Sequence, residues 1–181
     1  MKIYIMRHGT TVWNEKRITQ GHSNNRLSKS GIQLVNKTSL SFKEKIFDVI
    51  YTSPLMRTIQ TANIMNKYHK VKVIKDERLG DIDQGIFTGR QINSISKEEL
   101  ILKNARSKKC GMESYEQVHN RLDNFLKELL KENRYKSILI ITHSCCVSML
   151  IEILGKNSNN HHDVEYFCDI KNAEIKEFMA K

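Results

Sequence analysis

Short apolar runs that stop at polar, chemistry-bearing residues punctuate this chain. Ile3-Tyr4-Ile5-Met6 reads as a buried strand and ends at Arg7-His8-Gly9. Residues 47–52, FDVIYT, and 71–74, VKVI, predict a second and a third strand. Residues 137–142, SILIIT, predict a fourth, which runs into His143. Helical spacing fills the intervals. Residues 30–42 predict a first helix. Residues 55–68 predict a second, with Ser53 as its cap and Pro54 at its first position. A polar helix is expected over 93–106. The strongest amphipathic pattern covers 115–132, where Val118, Leu122, Phe125, Leu126, Leu129 and Leu130 share one face. A last helix over 144–154 is expected to stop at Gly155 as its C-cap. Residues 165–178 read as a hairpin about Asn172-Ala173. Strands alternating with helices argue for an α/β fold. The expectation is a single three-layer domain over residues 1–181, with a mainly parallel central sheet flanked by helices.

Two connections do not fit simple linkers. Residues 10–28 are rich in Asn, Ser and Thr and hold the only tryptophan, Trp13. A polar loop of that length in a compact domain is usually functional. Residues 76–90, DERLGDIDQGIFTGR, are acidic, and three glycines in ten residues forbid a regular helix there.

Composition narrows the class. With 181 residues, 39% hydrophobic content and one proline, the chain can bury a real core. No apolar run approaches the roughly 20 residues that span a bilayer, and no signal peptide is read at the start, so no membrane role and a cytoplasmic location are expected. Four cysteines without a C-x-x-C give neither a disulfide framework nor a zinc ribbon, and the Cys145-Cys146 pair reads as buried and inert. The His161-His162-Asp163 stretch has poor chelating geometry, so no metal site is expected. The net charge of +10 suits an anionic partner. The lysines are scattered, and neither an aromatic RNA-binding motif nor finger spacing is present, so no nucleic-acid partner is expected.

The chemistry gathers at two strand ends. In open α/β sheets, ligands bind at the carboxyl ends of strands. Arg7 offers a fork of donors for phosphate or carboxylate. His8 suits a nucleophile, base or acid. A second strand ending in His143 places two imidazoles in one crevice.

These residues resemble the histidine phosphatase superfamily, in the branch that holds cofactor-dependent phosphoglycerate mutases, fructose-2,6-bisphosphatases and α-ribazole phosphatases. Arg7-His8-Gly9 with Thr11-Val12-Trp13-Asn14 is similar to its opening motif. Gln20-Gly21, Leu27-Ser28 and Gly31 resemble its second loop, and residues 53–62, SPLMRTIQTA, its helix signature. Arg78-Leu79, Asp81, Asp83, Gly85 and Gly89 follow its acid loop. Gly111, Glu113 and Ser114 resemble its Gly-Glu-Ser turn, and Thr142-His143 its last motif. The resemblance implies a phosphoglycerate mutase-like fold and a phosphomonoesterase that acts on a small phosphorylated metabolite through a phosphohistidine. His8 is then the nucleophile. Arg7 and Arg57 clamp phosphate oxygens, and His143 adds a donor or positive charge. Asn14, Gln20 and Gly21 line the pocket. No metal or other cofactor is implied, because arginines and imidazoles supply the positive field. A monomer or homodimer is expected.

Three departures from the family pattern stand out. Asp81 occupies the position of the usual glutamate proton donor, with Asp83 and Glu77 as rivals. Aspartate is shorter by about 1.5 Å of reach and starts near pKa 3.9, so burial must raise it further. Ser144 stands where glycine usually follows the last histidine, and is expected to contact the phosphate or narrow the pocket. Met112 replaces a small residue and is expected to shape the pocket too. Glu113 reads as a helix cap rather than a substrate contact. The short segment between Gly89 and Gly111 leaves the site open to water, which favours hydrolysis over mutase-type transfer. A catalytically weakened phosphate-binding protein is the third reading.

Overall fold

The computed structural model describes residues 1–156 and 170–179. Strand β1 (Lys2–Arg7) is followed by a short helix α1 (Val12–Glu15) and by α2 (Lys29–Ser41). Next come β2 (Val49–Thr52), α3 (Met56–Met65) and β3 (Lys72–Lys75). The acid loop leads through single-turn helices to α4 (Lys97–Asn104) and α5 (Tyr115–Glu132). The chain closes with β4 (Ser137–Thr142), α6 (Ser144–Lys156) and β5 (Ile175–Met179).

The sheet order is β3-β2-β4-β1-β5. The first four strands run parallel, and β5 pairs antiparallel with β1 at the edge. Both faces of the middle strands are buried, which is why β4 reads as an unbroken apolar run. Alternate side chains serve opposite layers. Ile138 and Ile140 pack with Leu122, Phe125 and Leu129 of α5 and Val147 and Leu150 of α6. Leu139 and Ile141 pack with Val35 of α2 and Ala62 and Met65 of α3. The expected three-layer α/β architecture is therefore present.

Several boundaries differ from the expectations, each for a local reason. Ser53 does not cap α3. The cap is Leu55, which makes no side-chain cap bond, and the Met56 N–H instead donates to Asn24 Oδ1 at 2.7 Å. Gly155 does not end α6, which continues to Lys156. The polar helix expected over 93–106 is shorter, because Ser96 and Glu99 form a capping box that starts α4 at Lys97. The long polar loop contains α1, also started by a capping box, from Thr11 and Asn14. In the expected hairpin, residues 165–169 lie outside the described residues, and the described arm is β5. No helix among the described residues is long and apolar enough to cross a membrane.

Candidate active site

The parallel register pairs Arg7 with Thr142, so the next residues, His8 and His143, leave adjacent strands side by side. Their ring centroids lie 5.3 Å apart. Helix α2, which follows β1 and α1, packs on one face of the sheet, and α6, which follows β4, packs on the other. Such a point of divergence opens a crevice at the strand ends. Close packing holds the turn after β1. A Cβ on Gly31 would lie 1.9 Å from the Thr10 carbonyl oxygen, so only glycine lets α2 approach there. The Gly9 N–H donates to Thr61 Oγ1 at 3.0 Å, which backs the turn with α3.

His8 is buried, and its Nδ1 lies 2.7 Å from the Gly9 carbonyl oxygen. A carbonyl only accepts, so Nδ1 carries the hydrogen and Nε2 keeps its lone pair. Burial, Arg57 and Arg7 hold the ring well below the ordinary histidine pKa, which keeps it neutral. His143 is also held neutral, by burial first and then by the positive charge of Arg57. Its Nδ1 accepts from Arg57 Nε at 3.2 Å, so its Nε2 donates to Ser53 Oγ at 3.0 Å.

Arg57 is fully buried at the start of α3. Its Nη1 donates to Ser23 O at 2.7 Å, and its Nη2 to Gly21 O at 2.9 Å and to Asp81 Oδ2 at 2.8 Å. Arg7 is partly buried, and its Nη1 donates to Ile170 O at 2.6 Å. Asp81 Oδ2 also lies 3.6 Å from His143 Nδ1, and Asp81 Oδ1 accepts from the Ile82 N–H at 2.9 Å. Burial raises the Asp81 pKa, while Arg57 pulls the other way and only partly offsets it.

Among the carboxylates weighed for the proton, the geometry separates Asp81. Asp83 is 46% exposed, and its Oδ1 accepts from the Gly85 N–H. Glu77 is exposed in the turn before. Only Asp81 touches both Arg57 and the neighbourhood of His143.

The loop residues take more structural work than expected. Asn14 Oδ1 accepts from the Thr11 N–H at 3.0 Å as part of the cap of α1, which leaves its Nδ2 to serve a ligand. Gln20 is buried, and its Oε1 accepts from Thr11 Oγ1 at 2.9 Å. Gly21 sits at φ +50°, a conformation that disfavours other residues, contributes a carbonyl to Arg57 and lies close against Gln84 and Thr88. Ser144 lies directly after His143 in the first turn of α6. Met112 is buried with Phe87 and Cys110 in a small apolar cluster, and its backbone bridges Gln84 of the acid loop. Glu113 does not cap α5, because Ser114 does so with Gln117. Glu113 instead grips Arg121, with Nε–Oε1 at 2.7 Å and Nη2–Oε2 at 3.0 Å. Cys146 is buried with its thiol pushed up to about 12, so it is an inert packing group. The His161-His162-Asp163 stretch lies outside the described residues.

Sequence reasoning missed Ser53 as a partner of His143, and Arg121 and His22 as supports of the acid loop. Arg121 Nη1 donates to Arg78 O at 2.5 Å and its Nη2 to Asp81 O at 3.2 Å. A charged residue within the amphipathic pattern of α5, at a position near its apolar face, was the available signal for Arg121.

The chain is 27% identical over 162 residues to phosphoserine phosphatase 1 of Hydrogenobacter thermophilus, covering 86% of this chain and 77% of that one. It is 28% identical over 162 residues to a probable phosphoglycerate mutase of Proteus mirabilis, covering 86% and 75%. In fold it is similar to a mycobacterial glucosyl-3-phosphoglycerate phosphatase, with a TM-score of 0.83 at 19% identity over 97% of this chain and 90% of that one. The sequence pattern of the histidine phosphatase superfamily (branch 1) matches residues 3–178, and this chain belongs to that superfamily.

Proposed function

We propose that this protein hydrolyses a small phosphorylated metabolite through a phosphohistidine on His8. One observation carries the reading: a buried, neutral imidazole whose tautomer is locked by Gly9 O, with Nε2 left as a nucleophile beside Arg57, Arg7 and His143. The Nε2 lone pair attacks phosphorus, and the ester P–O bond breaks. The leaving oxygen takes the Asp81 carboxyl proton. In the second half, the Asp81 carboxylate accepts a proton from water as that water attacks phosphorus. The P–N bond breaks, His8 returns neutral and phosphate leaves. Arg57, Arg7 and Asn14 supply donors to the equatorial oxygens, where charge is concentrated, and His143 joins them by turning its Nε2–H from Ser53 Oγ to the phosphate. Gln20, Gly21 and Ser144 border this phosphate pocket. In this scheme the positive field comes from side chains, without a metal.

The Hydrogenobacter thermophilus relative is named as a phosphatase and the Proteus mirabilis relative as a probable mutase, so the choice between the two rests on the site. The short segment between Gly89 and Gly111 carries α4, which has no buried residue, and this supports water rather than a substrate hydroxyl as acceptor. The test is hydrolysis of an activated aryl phosphate without added metal, with wild type beside His8→Ala. The expected result is turnover in the wild type and none in the variant. Equal turnover in both, or none in either, overturns the reading. Phosphoglycerate converted to its isomer faster than to free phosphate would favour the mutase instead.

A further inference from the structure

His22 sits in the loop that Arg57 holds through Gly21 O and Ser23 O, two residues before the Asn24 that caps α3. Its side chain is 57% exposed, so core packing does not account for an imidazole here. Its contacts go to the acid loop. Nε2 lies 2.8 Å from the main-chain carbonyl oxygen of Asp81, and Nδ1 lies 4.0 Å from Asp83 Oδ2. A carbonyl only accepts, so Nε2 is the donor. The same oxygen also receives Arg121 Nη2, at 3.2 Å.

That carbonyl belongs to the peptide unit joining Asp81 to Ile82. The N–H of the same unit donates to Asp81 Oδ1 at 2.9 Å. A peptide group is rigid and planar, so whatever fixes its C=O fixes the direction of its N–H. His22 and Arg121 therefore grip one end of a plate whose other end orients the Asp81 carboxyl. Arg121 is anchored in α5 and paired with Glu113. His22 brings in the phosphate-pocket loop, so one contact ties the loop under the clamp arginine to the direction of the acid.

We propose that His22 is a positioning residue for the proton-donating step, acting through the Asp81–Ile82 peptide. This rests on the reading above, in which Asp81 is the proton donor. The sensitive comparison is between a phosphate ester with a poor alkyl leaving group, which needs the proton, and an activated aryl phosphate, which needs it little. His22→Ala should lower kcat on the alkyl ester by about tenfold, because small displacements of a catalytic group are costly, and lower the aryl rate far less. KM for both should hold. His22→Gln, whose amide can reach the same carbonyl, should restore the alkyl rate.

An equal loss on both substrates, a loss expressed in KM, or no loss at all overturns the inference while leaving the phosphatase reading in place. Failure of His22→Gln to restore the alkyl rate, with its aryl rate intact, also overturns it. The reading beneath fails in a different way. Wild type inert on both esters removes the phosphatase. Asp81→Asn as active as wild type on the alkyl ester removes Asp81 as the acid.

Discussion

Replacing Asp81 by asparagine should make this protein bind phosphate more tightly while it turns over esters more slowly. Asp81 Oδ2 occupies one arm of the guanidinium that, in the proposed reaction, holds the phosphate, 2.8 Å from Arg57 Nη2. A phosphate seated on Arg57 brings its charge to about 5 Å from the carboxylate. At an effective dielectric of about 20, each pair of unit charges at that distance repels by about 3 kcal/mol. The Asp81 side chain is 16% exposed, so water trims this. Asparagine keeps an oxygen for Arg57 and removes the charge. A net gain of about 1.4–3 kcal/mol, or roughly 10- to 100-fold in Kd, is the expected scale. The wild type has one escape, which is to protonate Asp81 as the anion arrives. Burial has already raised that pKa, and an added anion raises it further. Binding to the wild type is then coupled to proton uptake and weakens as pH rises above the Asp81 pKa of the free protein. The variant lacks this coupling. Calorimetric titration with inorganic phosphate, repeated from pH 5 to pH 8, reads both effects, and the ratio of the two proteins cancels the titration of phosphate itself. The gap in affinity should widen toward high pH. Equal affinities at pH 8, or a constant ratio across the range, would refute the idea that the acid and the substrate compete for Arg57. On an alkyl ester, kcat of the variant should fall by about 10²–10⁴, the usual worth of a general acid.

Arg121→Met should cost about 3 kcal/mol, because it strands the Glu113 carboxylate and the Arg78 carbonyl inside the fold. Urea unfolding checks this, and a loss under about 1 kcal/mol would show that the brace is dispensable. His8 and His143 are both held below the ordinary value near 6.5, so the acid limb of the aryl phosphate pH profile should fall below that value. For stability the sign is the same. Below pH 6.5 the unfolded chain takes up protons that these two buried rings refuse, so stability drops as pH falls from about 6.5 toward their folded-state values. A kinetic pKa at or above 6.5 on the acid limb would contradict the neutral nucleophile. Gly85→Ala should destabilise the acid loop, since Gly85 has φ +51° and a Cβ would meet the Cys110 carbonyl oxygen at 1.8 Å. Thermal unfolding reads it, and an unchanged midpoint would refute the close approach.

The parts that were legible share one property: short-range pattern determines them. A run such as SILIIT announces a strand buried on both faces, and its last residue marks the rim of the sheet. Once two such strands pair in parallel register, His8 and His143 must be neighbours, with no further information needed. The supports were hidden because they are long-range and chemically ambiguous. Ser53-Pro54 has the composition of a helix start, yet the Ser53 hydroxyl serves an imidazole 90 residues away. Asn24 has the composition of a loop residue, yet it caps α3 from a distance. Small polar side chains satisfy backbone groups wherever the fold delivers them, so their partners are set by topology rather than by neighbours in sequence.

The same reasoning explains why an aspartate can stand where a glutamate is usual. A shorter carboxyl loses reach, but reach is measured from the backbone, and this backbone is held by contacts from several elements. Arg121 and His22 converge on the Asp81 carbonyl, Thr142 Oγ1 donates to the Leu79 carbonyl at 2.7 Å, and Cys146 Sγ lies 3.1 Å from the Gly80 carbonyl oxygen. The carbonyls of Leu79, Gly80 and Asp81 are thus tied in succession to β4, α6, α5 and the phosphate-pocket loop. Those ties fix the main chain where a short side chain contacts Arg57 and lies beside His143. In this protein the placement of the Asp81 carboxylate is a property of the loop's anchors, which hold the main chain where Oδ2 reaches Arg57 Nη2 at 2.8 Å.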